Sequence, residues 1–249
     1  MMVNRIFQEG VKIYLVEGHA FIAYFLVLLL VGPLQFFTLV LPSLDSQIWM
    51  APANLFRVSS VGALIVVVYL GLKIANQELV PWRFLPLKLW IRQEGASAGQ
   101  ITKAHMALLG LHSLLLVFVS CPLLLWAGAI SRVPLGSILC TFLLLIIYAV
   151  VYGAWGLFAL TVWENRVENR KVFVRCFLVS TTILSILLYQ PMNPIAFLWY
   201  YLEGREYAPL AISGLKLPAP AAHFLFHGFI FGAGVLAYRR ALLRRANLD

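Results

Sequence analysis

LGSILCTFLLLIIYAVVYGAWGLFALTVW, residues 135–163, has no charged side chain anywhere along it. A helix rises 1.5 Å per residue, so about 20 apolar residues cross a hydrocarbon core of roughly 30 Å. The stretch meets that length with residues to spare, enough to tilt. Working outward, five more apolar runs lie at 21–41, 56–75, 106–130, 172–189 and 221–238. The expected architecture is therefore an all-α membrane protein with six transmembrane helices, residues 1–249 forming a single transmembrane domain.

Composition agrees with this and excludes other classes. Hydrophobic residues make up 62% of the chain and charged residues 12%, and mean hydropathy is +0.88. An ordinary soluble domain has about twice that charge. The net charge of +9 does not point to nucleic acid, because the basic residues are spread over helix ends and form no dense run with interleaved aromatics. Cys121, Cys140 and Cys176 show no CxxC spacing and are expected as buried, apolar-like thiols.

The lysines and arginines alternate between the two sides. With the N-terminus cytoplasmic, fifteen of the nineteen basic residues lie inside, and only Arg57, Arg132, Arg205 and Lys216 lie outside. The positive-inside rule then places both termini in the cytoplasm of a cell (inner) membrane.

The connections differ in kind. Residues 1–18 mix Arg5, Glu9, Lys12 and Glu17 with Val3, Ile6, Phe7, Val11, Tyr14 and Leu15 on one helical face. This predicts an amphipathic interfacial helix, not a cleavable signal. Gly32–Pro33 predicts a kink in the first span, whose freed backbone groups need a neighbour. The cytoplasmic loop 76–105 is basic yet studded with Trp82, Phe84, Leu85, Leu87, Leu89, Trp90 and Ile91, the pattern of a short helix pressed on a membrane or a partner. Ser97–Gln100 reads as a turn before the third span. Residues 191–219 begin with an apolar piece, 191–201, too short to cross, which predicts a short outer re-entrant helix between spans five and six.

Chemistry is sparse. There is no GxxxxGK[ST], GxSxG or HExxH, and none of the six runs contains Asp or Glu. His223 and His227 stand i,i+4 near the outer end of span six, with no evident third metal ligand. His112 is an intramembrane histidine of span three. Tyr148, Tyr152 and Trp155 recur at helical spacing in span four, a face of aromatics with polar tips. Ser180, Thr181, Thr182 and Ser185 make span five the most polar and mark a face expected to avoid lipid. Gly228, Gly232 and Gly234 should permit close helix approach.

Taken in order, these features resemble the permease subunit of bacterial ABC-2-type ABC transporters. The resemblance runs through most of the chain: the amphipathic N-terminal helix, six spans, and a long inner loop ending in Gly99–Gln100–Ile101–Thr102–Lys103. It continues with Ser120–Cys121–Pro122, Gly153-x-x-Gly156 and Asn193–Pro194–Ile195–Ala196. The chain departs from the family after span two, where Asn76–Gln77–Glu78 and Pro81–Trp82–Arg83 replace a Glu-rich run with Gly-Thr.

The resemblance implies a subunit of an exporter that binds no cofactor itself. ATP and magnesium would sit in a partner cytoplasmic ABC ATPase, and a second permease chain would complete a homo- or heterodimer in membrane lipid. Leu87, Trp90, Ile91, Arg92, Gln100 and Lys103 would couple to the ATPase. His112, Tyr148, Tyr152, Trp155, Ser180 and Thr181 are the candidates for a substrate pathway, for a lipid-like molecule, a peptide or a hydrophobic drug. An intramembrane enzyme using the histidines of spans three and six, or a non-catalytic assembly factor, are the alternatives.

Overall fold

The structure, a computed structural model, describes residues 5–16, 19–40, 52–77, 95–164, 166–212 and 215–246. Among them are eight α-helices: α1 (Arg5–Val16), α2 (His19–Val40), α3 (Leu55–Gln77), α4 (Ala98–Ile130), α5 (Leu135–Val162), α6 (Val167–Leu188), α7 (Pro194–Glu203) and α8 (Ala219–Ala246). Five of these, α3 to α6 and α8, are long and apolar enough to cross a membrane, and the chain is a multi-pass membrane protein in that sense. In α2, the apolar stretch with described surroundings is shorter, Tyr24–Val40. The outer surface agrees with a lipid solvent: Leu187, Phe229 and Phe118 stand 77%, 75% and 73% exposed, a display of large apolar groups that water would not support.

The long helices alternate up and down, giving the bundle two ends. At the α7 end, the start of α3 meets the end of α4, with the Phe56 amide donating to Ser131 Oγ (3.0 Å). At the α1 end, Arg245 of α8 bonds to Glu164, just after α5, and to the Val162 carbonyl (3.2 Å). The centre belongs to α3, 61% of whose apolar window is buried, whereas α6 is peripheral at 11%. α3 can be central because Gly71 brings its backbone against α5. A Cβ built there would lie 3.3 Å from the Ala149 carbonyl oxygen.

α1 has the expected two faces. Ile6 is buried, while Arg5, Glu9 and Lys12 are exposed. Gly10 is set tightly against Leu108, so α1 is also fastened to α4. The two interior prolines, Pro33 of α2 and Pro122 of α4, sit near one cross-helix bond. Buried Gln35 donates through Nε2 to the Leu123 carbonyl (2.9 Å), a cross-helix bond beside both prolines, although the carbonyls the prolines free are those of Leu29 and Phe118, four residues earlier.

Several expectations need correction. Residues 97–100 are not a free turn: Ser97 caps α4, accepting from the Gln100 amide (3.2 Å), while Gln100 Oε1 accepts from the Ser97 amide (3.0 Å). This reciprocal box starts the helix eight residues before the apolar run. α4 is 33 residues long, about 50 Å, and overhangs a core of roughly 30 Å.

The polar run of α6 lies mostly on its less exposed face, with Ser185 buried and Thr181 and Thr182 half-buried, but Ser180 departs from it. Thr181 and Thr182 donate to the Phe177 (2.7 Å) and Leu178 (2.8 Å) carbonyls of their own helix, and Ser180 is exposed. Hydroxyls that bond back one turn need no neighbouring helix. Only Ser185 is fully buried, accepting from Asn193 Nδ2 (3.2 Å). Cys176 is exposed and Cys121 and Cys140 are half-buried, so the thiols are less enclosed than expected.

The short helix after span five is α7, ten residues capped by Asn193, whose Oδ1 accepts from the Ile195 and Ala196 amides. Gly204, at φ 68°, turns the chain out of it. A small antiparallel hairpin, β1 (Leu210–Ile212) with β2 (Leu215–Leu217), follows and was not foreseen in an all-α chain.

The three glycines of α8 part company. A Cβ at Gly234 would lie 2.9 Å from Trp155 Nε1, whereas nothing lies within 4 Å at Gly228 or Gly232. Close approach is therefore a property of Gly234 alone among the described contacts. Overpacking a tight site costs about 1–3 kcal/mol, and for a chain of this size 1 kcal/mol moves a melting temperature by roughly 2–4 °C. Gly234→Leu should lower the melting temperature in detergent by several degrees, and Gly228→Leu should leave it nearly unchanged. Equal shifts for the two would contradict this packing.

Candidate functional site

A continuous set of buried and half-buried polar side chains lies on the seam between α5 and α8. Tyr148, Tyr152 and Trp155 project from one face of α5, as their helical spacing requires. His223, His227 and the Ile230 carbonyl face them from α8, each pair separated by 75 positions. The constant offset means that α5 and α8 run parallel, in one fixed register.

The bonds set the tautomers. His223 Nδ1 lies 2.6 Å from the Pro191 carbonyl, which can only accept, so Nδ1 carries the proton. Nε2 is then left to accept from the Tyr148 hydroxyl at 2.5 Å. His227 repeats the pattern more loosely, with Nδ1–H donating to the His223 carbonyl (3.0 Å) and Nε2 facing the Tyr152 hydroxyl at 3.5 Å. The neutral form of each ring satisfies both of its nitrogens. Trp155 completes the series, its indole N–H donating to the Ile230 carbonyl (3.1 Å) in the space that Gly234 leaves open.

Aromatic packing closes the seam at both edges. Phe197 of α7 stacks on His223, ring centroids 3.9 Å apart and planes at 13°. Phe177 of α6 stacks on Trp155 at 4.9 Å. Thr181 sits beside the Tyr152 hydroxyl.

Of the proposed pathway residues, the structure thus brings together Tyr148, Tyr152, Trp155 and Thr181. His112 is buried on α4 with its ring 6.1 Å from Tyr24 of α2. Ser180 faces outward. Near the α1 end, His105 and Tyr238 make another short, fully buried imidazole–phenol bond between α4 and α8. Of the coupling residues, Gln100 and Lys103 are exposed on the first turns of α4. Leu87, Trp90, Ile91 and Arg92 fall outside the described residues.

Residues the sequence did not single out line the α7 end. Glu203 gathers Arg57 of α3 (3.0 Å), Arg205 (3.1 Å) and the Trp199 indole (3.1 Å), with Arg57 also 5.1 Å over the Trp199 ring. Tyr207 donates to the Ala196 carbonyl (2.6 Å) and stacks on Tyr200 at 4.4 Å. Burial, with Tyr200, Tyr189 and Glu203 adding to it, raises the Tyr207 hydroxyl well above its ordinary range, so it stays a donor. The recurring signal in sequence was the aromatic cluster at 197–207.

Chemically, the polar groups of the seam bond to one another and join α5 to α8. Both histidines are engaged, and among the described residues no three His, Cys, Asp or Glu converge as metal ligands would. No family model matches the chain, and neither does any characterised protein or solved structure.

Hydrogen bonds between membrane helices average about 0.6 kcal/mol and reach roughly 1.7. The 2.5 Å Tyr148–His223 bond belongs near the top of that range and the 3.5 Å Tyr152–His227 bond near the bottom. Tyr148→Phe should therefore lower the melting temperature in detergent by several times the shift of Tyr152→Phe. The reverse order would refute this assignment of the two bonds.

Proposed function

We propose that the chain is the membrane-spanning subunit of an ABC exporter of the ABC-2 type, coupling ATP hydrolysis in a separate cytoplasmic ATPase to movement of a substrate. On this reading α2 is a sixth span beside the five long apolar helices. The alternating lysines and arginines put both termini, and hence the α1 end, in the cytoplasm of the cell (inner) membrane.

The observation that carries the reading is α4. It is continuous over 33 residues, begins in a reciprocal cap, and overhangs at the α1 end with Gln100 and Lys103 exposed. The basic, Trp-bearing segment 78–94 leads directly into it. A rigid helix end joined to an apolar and basic loop is suited to receive a push from an ATPase and carry it to the bundle's interior. ATP and magnesium stay in the partner.

A second permease chain is part of the proposal. α6 packs only Val174 and Ser185 fully into its own bundle, leaving an apolar face for lipid or for that second chain. Among the described residues the α7 end carries only short elements, chiefly α7 and the β1–β2 hairpin, and this favours export over import. The enzyme alternative loses ground because the seam histidines are already satisfied by carbonyl and phenol partners.

Purification in mild detergent through a C-terminal tag should bring an ATPase with the chain. Leu87→Asp with Trp90→Asp should release it while the melting temperature holds. An intact chain that brings no nucleotide-binding protein would sink the transport reading.

A further inference from the structure

Two hollows follow one another along the same side of α8. The first, about 430 Å³, opens at the α7 end and is walled by Phe197, Tyr201, Tyr207 and Pro220, with Arg205 and Glu206 among its lining. The second, about 340 Å³, lies further down between α5 and α8, lined by Ile146, Val150, Phe224, His227, Gly228 and Phe231. Phe224 stands between them, edge-on to Phe197 at 5.9 Å.

Their characters differ as the two parts of an amphiphile differ. The upper hollow carries one cation and one anion. Arg205 spends its Nε on Glu203 (3.1 Å), and Glu206 is exposed. This charge balance does not suit a purely anionic group, because Arg57 and Arg205 share Glu203 and the exposed Glu206 offsets the positive charge that remains. It suits a group bearing both signs, with phosphate toward the largely exposed Arg205 guanidinium and ammonium toward Glu206 and the Tyr201 ring.

The lower hollow is apolar except for His227, whose nitrogens are directed to His223 and Tyr152. Its floor at Gly228 is open, with nothing within 4 Å of a built Cβ. From Pro220 to Phe231 the helix descends about 16 Å, the thickness of roughly half a hydrocarbon core. A molecule filling both hollows thus has a two-signed head and an apolar tail one leaflet long.

We propose that the two hollows are one site, for the headgroup and an acyl chain of a zwitterionic phospholipid in the leaflet at the α7 end. That this lipid is also the cargo rests on the transport reading above. Phe197 ties the site to the seam, since it lines the upper hollow and stacks on His223, which holds Tyr148. An occupant that displaces Phe197 therefore acts directly on the α5–α8 register.

The test reconstitutes the full chain, without any ATPase, into vesicles of equal parts phosphatidylethanolamine and phosphatidylglycerol. One or the other lipid carries a photoactivatable group in its acyl chain. The phosphatidylethanolamine probe should label the peptides spanning 146–151 and 224–231 several-fold more than the phosphatidylglycerol probe. Arg205→Ala with Glu206→Ala should reduce that labelling several-fold. Gly228→Leu, whose Cβ has open space around it and whose branch fills the hollow, should abolish it at a nearly unchanged melting temperature, and Gly228→Ala should give a partial loss.

Even labelling of peptides bearing Phe118 and Leu187, equal labelling by the two lipids, or indifference to the head variants would overturn the site. Because no ATPase is present, such a failure leaves the transport reading standing. Selective labelling of a chain that never binds an ATPase would uphold the lipid site and remove only its role in transport.

Discussion

The register of α5 on α8 is the constraint on which the rest of the molecule hangs. In a hydrocarbon solvent a tyrosine hydroxyl or an imidazole nitrogen has no water to fall back on. Tyr148 and His223 therefore hold each other at 2.5 Å, and a slip of one turn, which would bring His227 to Tyr148 or Tyr152 to His223, would leave one of the two without a partner. The same register delivers Trp155 to the Ile230 carbonyl and sets Gly234 beneath the indole. It also fixes α7, because the Pro191 carbonyl accepts the Nδ1–H of His223 and Phe197 covers the ring. Apolar packing alone could slide; these directional contacts cannot.

How much of this was legible depended on whether the physics was local. The long apolar runs were readable because bilayer thickness acts on each run separately, and five of the helices that meet the criterion lie where the sequence put them. The start of α4 was legible in principle. Ser97-x-x-Gln100 is the sequence form of a capping box, but its Ala–Gly centre reads equally as a turn. The polar run of α6 misled only in part: Thr181, Thr182 and Ser185 do lie inward, but Ser180 is exposed, and Thr181 and Thr182 also bond back within their own helix. The small-residue series of α8 misled similarly, since glycine permits close approach but does not choose the neighbour, and here Trp155 chose Gly234.

The candidate site was legible in its parts and not in its assembly. Tyr148, Tyr152 and Trp155 were visible as one face of α5, and His223 and His227 as one face of α8. That the two faces meet at a constant separation of 75 positions is a tertiary fact with no local trace. The same holds for Glu203, which reads as one exposed acid among several until Arg57 arrives from another helix. Around it, Trp199 and Arg205 make the α7 end a polar clasp, while Arg245 and Glu164 close the other end of the same bundle. The apolar interior is thus bracketed by ion pairs at both boundaries, where water keeps their cost low.

The separation of 75 positions also has a meaning in time. Chains are synthesised at about 5–20 residues per second, so α5 waits roughly 4 to 15 seconds in the bilayer before α8 is made. Through that interval the hydroxyls of Tyr148 and Tyr152 and the indole of Trp155 have no imidazole or carbonyl from α8 to meet. They must be held by insertion machinery, by lipid headgroups or by temporary neighbours. The contacts that give the finished protein its register thus form late, after α5 has spent that interval in the bilayer without them.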